Sequence, residues 1–291
     1  MKIGSVHYEG ASRIAVAVAE GEVAIVGRSG DGCSTTINQV IHAWPHALAR
    51  FNAALEAAPR VNAESLHCLP PISDPGKIIS VRFDGEPGDH GRATIAPKMR
   101  ASLAGHRHPV RVRLGYGAVY PRPALAVIVG AAGEGGRRHK IPIFGYSVMN
   151  DLFASGVSRV QNGCRSFSSP PKFFNDADLS GLAGTFETFS PIGPMVVTRD
   201  DEHLISNAVI SCWIGNKKIL DWPLAGFMGQ LPVMLSSVAE LVGSLEPADV
   251  VAFSLDGKHG DVGHDLAETT QDVTIQLGSE CVLSNPVMRC N

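Results

Sequence analysis

Residues 143–151 read IFGYSVMND. The segment is a short apolar entry, a Gly-Tyr turn element, an alternating run and a closing Asn150-Asp151 pair. Alternation of apolar and polar side chains is the period of a β-strand. Asp151, at the end of the run, is the candidate functional carboxylate around which the rest of the chain is read.

Working outward, the 291 residues allow one large domain, or a small one beside a large one. Hydrophobic residues make up 44% and charged residues 18%, the balance of a folded protein with a substantial core. Aromatics are only 6%, while Gly (31) and Pro (19) are frequent, which favours turns and short strands over long helices. A formal net charge of −3 offers no broad attraction to a polyanion, so nucleic acid is not an expected partner. No apolar run approaches the roughly 20 residues that span a bilayer, so no membrane partner is expected. The six cysteines are scattered without a C-x-x-C and read as reduced thiols of a cytoplasmic protein.

Residues 2–27 read as a strand, a turn at Glu20-Gly21 and a second strand. Leu48, Phe51 and Leu55 fall at helical spacing after Pro45. The Pro70-Pro71 pair closes a small α+β lobe, residues 1–71, ahead of a larger domain, residues 72–291. In that domain the runs 78–83, 109–114 and 125–129 read as strands. Residues 155–184 read as a long irregular loop, and residues 231–245 as a helix stopped by Pro247. His106 and His108 read as a solvated turn. The fold class is mixed α+β and mainly β.

Six stretches together resemble the fumarylacetoacetate hydrolase family: 70–81 (PPISDPGKIISV), 96–105 (APKMRASLAG), 125–130 (LAVIVG), 143–151, 186–201 (FETFSPIGPMVVTRDD) and 236–251 (SSVAELVGSLEPADVV). The resemblance implies a β-sandwich or β-roll core behind a small N-terminal lobe, and a homodimer. It also implies a Mg²⁺ or Mn²⁺ site built from an E-x-E pair and a later Asp. Such a site serves hydrolysis, decarboxylation, hydration or tautomerisation of 2-oxo, β-diketo or enol acids. A hard cation takes oxygen ligands, holds the carboxylate and keto oxygens, and stabilises an enolate.

The chain departs from that pattern at the presumed pocket. Where the family's E-x-E is expected, this sequence has Arg122-Pro123-Ala124, and Asp151 alone remains of the acidic set. The expected cofactor is therefore none, with Mg²⁺ or Mn²⁺ on Asp151 the disfavoured reading. The strand 77–81 runs into RFDGEPGDHGR, where His90, with Glu86 or Asp89 as partner, stands for the family's catalytic His. Lys98 matches a lysine the family places at the substrate, and Tyr146 is assigned there too. A second family lysine is replaced by Gly184, and the family's T-G-T-P loop by FSLDGKHGDVG.

Two functions follow. The first is a metal-independent enzyme acting on an enolisable 2-oxo or β-keto acid, with a small carboxylate substrate. Arg122 takes the cation's place, Asp151 orients it, and His90 or Asp151 moves protons. Tautomerisation and decarboxylation need least from a metal. The second is a non-catalytic binding or scaffold protein in which Arg122 and Asp151 form an ion pair over a vacated site.

Overall fold

The computed structural model describes residues 1–27, 34–44, 46, 48–84, 93–132, 141–158, 180–256 and 265–290. Among these, eleven strands form one sheet. Its centre is the antiparallel pair Pro123–Val129 and Ile143–Asn150, in which Pro123 faces Asn150 and Leu125 faces Val148. Both strands are buried along almost their whole length, so they lack the polar face of a surface strand. Val250–Asp256 joins Pro123–Val129 antiparallel, Ile78–Asp84 joins it in parallel, and Ala93–Lys98 closes that edge.

On the other side, Met195–Thr198 connects Ile143–Asn150 to the N-terminal strands, through pairs such as Ile3 with Val196. The N-terminal segment is thus hydrogen-bonded into the same sheet as residues beyond 72. The sheet has a core on each face. One face packs against a second, four-stranded sheet (Val209–Ile214, Lys217–Pro223, Val273–Leu277 and Cys281–Asn285) and the helix Ala225–Val242. The other packs on Ile37, Val40 and Ile41 of the helix Ile37–Ala43 and on Phe51. The architecture is two-layered and mainly β, as expected.

Several local expectations shift. The N-terminal hairpin has an additional turn at Glu9-Gly10, both at positive φ (49° and 76°), which fits a two-residue hairpin loop. Glu is an unusual residue at such a position, which hid it. The helix Ile37–Ala43 went unread. Its N-cap Thr36 accepts from the Gln39 N–H. The helix expected over 231–245 runs over Ala225–Val242 instead, with Pro232 inside it, and ends at Gly243 (φ 90°) rather than at Pro247. Its mean hydropathy of 1.3 over 18 residues would suit a membrane span by length and composition. Here Phe227, Leu231, Leu235 and Val238 form a stripe packed into the core. Residues 159–179 of the long loop lie outside the described residues.

His106 is not in a solvated turn. It is half-buried, and its Nδ1 accepts the Ser284 N–H at 3.0 Å. Burial, helped by Arg107, pushes its pKa down to about 4. A depressed pKa means that the neutral ring stabilises the fold above the ordinary His value, and that this contribution is lost as pH falls through about 4. His106→Gln is therefore expected to unfold at lower temperature than wild type at pH 7. Thermal unfolding across pH should show the gap narrowing between pH 6.5 and about 4. A gap that does not change with pH contradicts this role.

Candidate functional site

Strand parity builds the site. On Ile78–Asp84, Ile79 and Val81 enter the core shared with the second sheet. Ser80 and Arg82, of the opposite parity, face the other way. Register sets Ala96 beside Ser80, and Ala252 beside it on the other flank. Ser254 lies beside Arg82, and Ala124 beside Ser254. Of these small residues Ser80 and Ala96 line the pocket, while Ala124 and Ala252 pack into the core with Ile37 and Ile41.

Beside this lining runs the turn after Asn150. The Asp151 N–H donates to the Arg122 carbonyl at 2.8 Å, so Arg122 and Asp151 leave the ends of their paired strands together. Asp151 is buried. Ser80 Oγ donates to its Oδ2 at 2.5 Å. Its Oδ1 lies 2.7 Å from Lys98 Nζ.

The Lys98 ammonium is an ion-pair partner of Asp151 that the sequence reading did not assign, and the Arg122 guanidinium also acts on the carboxylate electrostatically. Arg122 is buried as well, and its guanidinium stacks on Phe153 with Cζ 4.0 Å from the ring centroid. Its backbone N–H bonds Asn150 Oδ1. Lys98 comes from a strand more than fifty positions upstream, and only sheet register brings it to the site.

Lys98 donates to the carbonyls of Gly184 (2.7 Å), Leu152 (3.1 Å) and Phe189 (3.2 Å) besides Asp151. Three N–H groups thus face four buried acceptors, so Lys98 is part of the pocket wall and has no spare donor for a substrate. Burial, together with Arg82 and Arg122, drives its pKa below the ordinary lysine value against the pull of Asp151. For Asp151, burial alone would raise the pKa. Lys98, Ser80 and Arg122 outweigh it and hold the carboxyl below its ordinary value, so it stays ionised. Gly184 is required by this packing: a Cβ there would stand 2.9 Å from Lys98 Nζ and 3.3 Å from the Leu152 carbonyl.

A pocket of about 20 Å³ opens over these groups, room for about one water. Ser80, Arg82, Lys98, Asp151, Phe153 and Gly184 are among its lining. Tyr146 is not. It stands on the opposite face of its strand, in the core with Val148, and its hydroxyl donates to Glu202 Oε2 at 2.7 Å. Its position differs from Asp151 by an odd number, and strand parity alone could have placed it there.

His90, Glu86 and Asp89 lie outside the described residues, as do His259, Asp261 and His264. Asp265 caps the turn Leu266–Glu268 and accepts the Val119 N–H at 2.8 Å. Arg82 is the site residue that sequence reasoning missed. Its signal was a charged side chain at an inward position of an apolar strand.

Among the described residues, the pocket lining holds one carboxylate, whose two oxygens are taken by an ammonium and a hydroxyl. No group of three His, Cys, Asp or Glu side chains converges among them. Mg²⁺ and Mn²⁺ take several oxygen ligands. A lone carboxylate beside Lys98, Arg82 and Arg122 does not fit such an ion.

Residues 86–284 match the fumarylacetoacetate (FAA) hydrolase C-terminal family model. An oxaloacetate tautomerase (fahd2, mitochondrial) of Xenopus laevis is 23% identical over 235 residues, covering 76% of this chain. The match spans 63% of that relative's length. Among solved structures, a maleylpyruvate hydrolase from Sphingobium sp. SYK-6, in complex with manganese (II) and pyruvate, superposes with a TM-score of 0.75 at 17% identity over all of both chains. A 2-hydroxyhepta-2,4-diene-1,7-dioate isomerase from Mycobacterium marinum gives 0.64 at 16% identity, covering 99% of this chain and 98% of its own.

Two stability effects follow. Asp151→Asn leaves a buried ammonium without its counter-charge and is expected to cost about 3–5 kcal/mol in denaturant unfolding. Gly184→Ala pushes the ammonium off its carbonyls and is expected to cost about 1–3 kcal/mol. A neutral result for both variants would show that the pair does not hold the site together.

Proposed function

The chain belongs to the fumarylacetoacetate hydrolase family, and from that premise we propose that it is an enzyme acting on an enolisable 2-oxo or β-keto acid without a divalent cation. The observation that carries the reading is the charge of the site: guanidinium and ammonium groups gather at Asp151, where a divalent cation would need further carboxylates. Support also comes from the relatives, which carry out tautomerase, isomerase and hydrolase reactions.

Tautomerisation is the reaction the groups serve best. A proton leaves the carbon next to the keto group, the electron pair moves onto the carbonyl oxygen, and a proton is returned there. Arg122 holds the carboxylate or the developing enolate in a forked geometry, with its charge fixed at every working pH. Lys98 adds positive potential from the wall and fixes the turn at Leu152. Asp151, ionised and engaged on both oxygens, is a positioning residue for Lys98. The proton is moved by the 85–92 segment, which carries Glu86 and His90 directly after the strand bearing Ser80 and Arg82. Decarboxylation of a β-keto acid draws on the same enolate stabilisation.

A second reading, a binding or scaffold protein without catalysis, is favoured by one observation. The pocket of about 20 Å³ holds about one water, not a substrate.

The test is turnover of 2-oxo and β-keto acids, followed by keto–enol absorbance, before and after exhaustive treatment with EDTA. The enzyme reading predicts a rate unaffected by chelation, and a loss of about 10²-fold or more in kcat/KM for Arg122→Ala. A rate restored only by Mn²⁺ or Mg²⁺, or an Arg122→Ala protein as fast as wild type, would overturn it. Absence of turnover together with no thermal shift from any of the acids would favour the scaffold.

A further inference from the structure

We propose that Arg82 forms a second anion subsite, which makes the enzyme selective for 2-oxo acids carrying a second negative group. The inference rests on the enzymatic reading above and concerns a residue that the reading does not use.

Three observations place it. Arg82 is half-buried on the pocket lining, on the same strand face as Ser80, with its Cζ 5.3 Å from the centroid of Phe153. Phe153 therefore contacts two guanidiniums, those of Arg82 and Arg122. Second, the Arg82 Nε is buried and has no hydrogen-bond partner among the described residues, and no carboxylate there lies within ion-pair distance of the guanidinium. Third, its register neighbour Ser254 is fully buried and its hydroxyl is likewise without a partner. Two polar groups side by side in a low-dielectric wall each carry a desolvation cost unless something supplies their hydrogen bonds.

The two groups specify the chemistry of what they lack. A guanidinium with an unused N–H asks for a planar or tetrahedral oxyanion, and a neighbouring hydroxyl donates one further bond to it. The charge balance points the same way. Lys98 is matched by Asp151 at 2.7 Å, while Arg82 adds a full positive charge that no described carboxylate offsets. A monoanionic 2-oxo acid held at Arg122 would leave that charge unmet, whereas a dianionic one would meet it. Both guanidiniums lie over the same Phe153 ring, with Cζ 5.3 Å and 4.0 Å from its centroid, so one side chain ties the spacing of the two anions.

The experiment compares the full-length wild-type protein with Arg82→Gln and Arg82→Lys. The probes are oxaloacetate, a dicarboxylate, and pyruvate, a monocarboxylate, each followed for turnover and by thermal shift. The quantity read is the selectivity ratio, dicarboxylate over monocarboxylate, in kcat/KM and in Kd from the shifts. The ratio is expected to fall about 10–100-fold in Arg82→Gln, the loss expected for one charge-assisted contact. In Arg82→Lys, which keeps the charge but loses the fork, it should fall less.

Should Arg82→Gln not fold, as judged by circular dichroism, the Lys variant alone decides: an undiminished ratio overturns the proposal. A wild type that handles both acids with a ratio unchanged in the variants overturns the role of Arg82 and leaves the enzymatic reading intact. A wild type that answers to neither acid overturns both.

Discussion

The site depends on one ammonium. Lys98 enters at the sheet edge and binds Asp151, Leu152, Gly184 and Phe189. Those acceptors belong to two segments, 151–152 and 184–189, that are also tied by the Leu152 N–H to the Phe189 carbonyl. A buried ion pair contributes little to stability by its Coulomb attraction, because desolvating both charges costs about as much as the pair returns. Its worth lies in satisfying the Leu152 and Gly184 carbonyls, since a carbonyl left unpaired in a dry interior costs about 1–3 kcal/mol, while the Phe189 carbonyl also accepts the Leu152 N–H. The same contacts dictate a glycine at 184 and keep Asp151 ionised.

Around that ammonium the electrostatics of the pocket are the reverse of a metal centre's. A divalent cation needs carboxylates converging on an empty point. Here cations converge on one carboxylate, and the space between is nearly filled. Ser80 and Ala96, the small residues of the lining, leave room above the sheet for the long basic side chains of Arg82 and Lys98. Phe153 gives two of these a common surface. Under the proposed enzymatic reading, negative charge developing on a bound acid would meet positive potential already in place, with little reorganisation at the moment of reaction.

Much of the fold was legible because it rests on local patterns. The 143–151 run is the strand Ile143–Asn150, and its closing Asp151 sits in the pocket. Asp151 could be placed beside Arg122 because both end strands of one antiparallel pair. What sequence could not give was register across several strands. Nothing local ties Lys98 to Asp151 or Arg82 to Ser254, since those pairings arise only once Ile78–Asp84 lies between Ala93–Lys98 and Val250–Asp256. Tyr146 was drawn to the site by its proximity to Asp151 in the chain, although strand parity sends the two side chains to opposite faces. His90 and Glu86 fall beyond the described residues, and their part in the chemistry is a proposal from motif position alone.

The positive charges at Asp151 are those of the Lys98 and Arg122 side chains. The most direct test is a titration of Mn²⁺ into the metal-stripped protein, with the free ion followed by electron paramagnetic resonance. The free-ion signal is expected to rise with added Mn²⁺ as it does in buffer alone. Stoichiometric loss of that signal, abolished by Asp151→Asn, would contradict it.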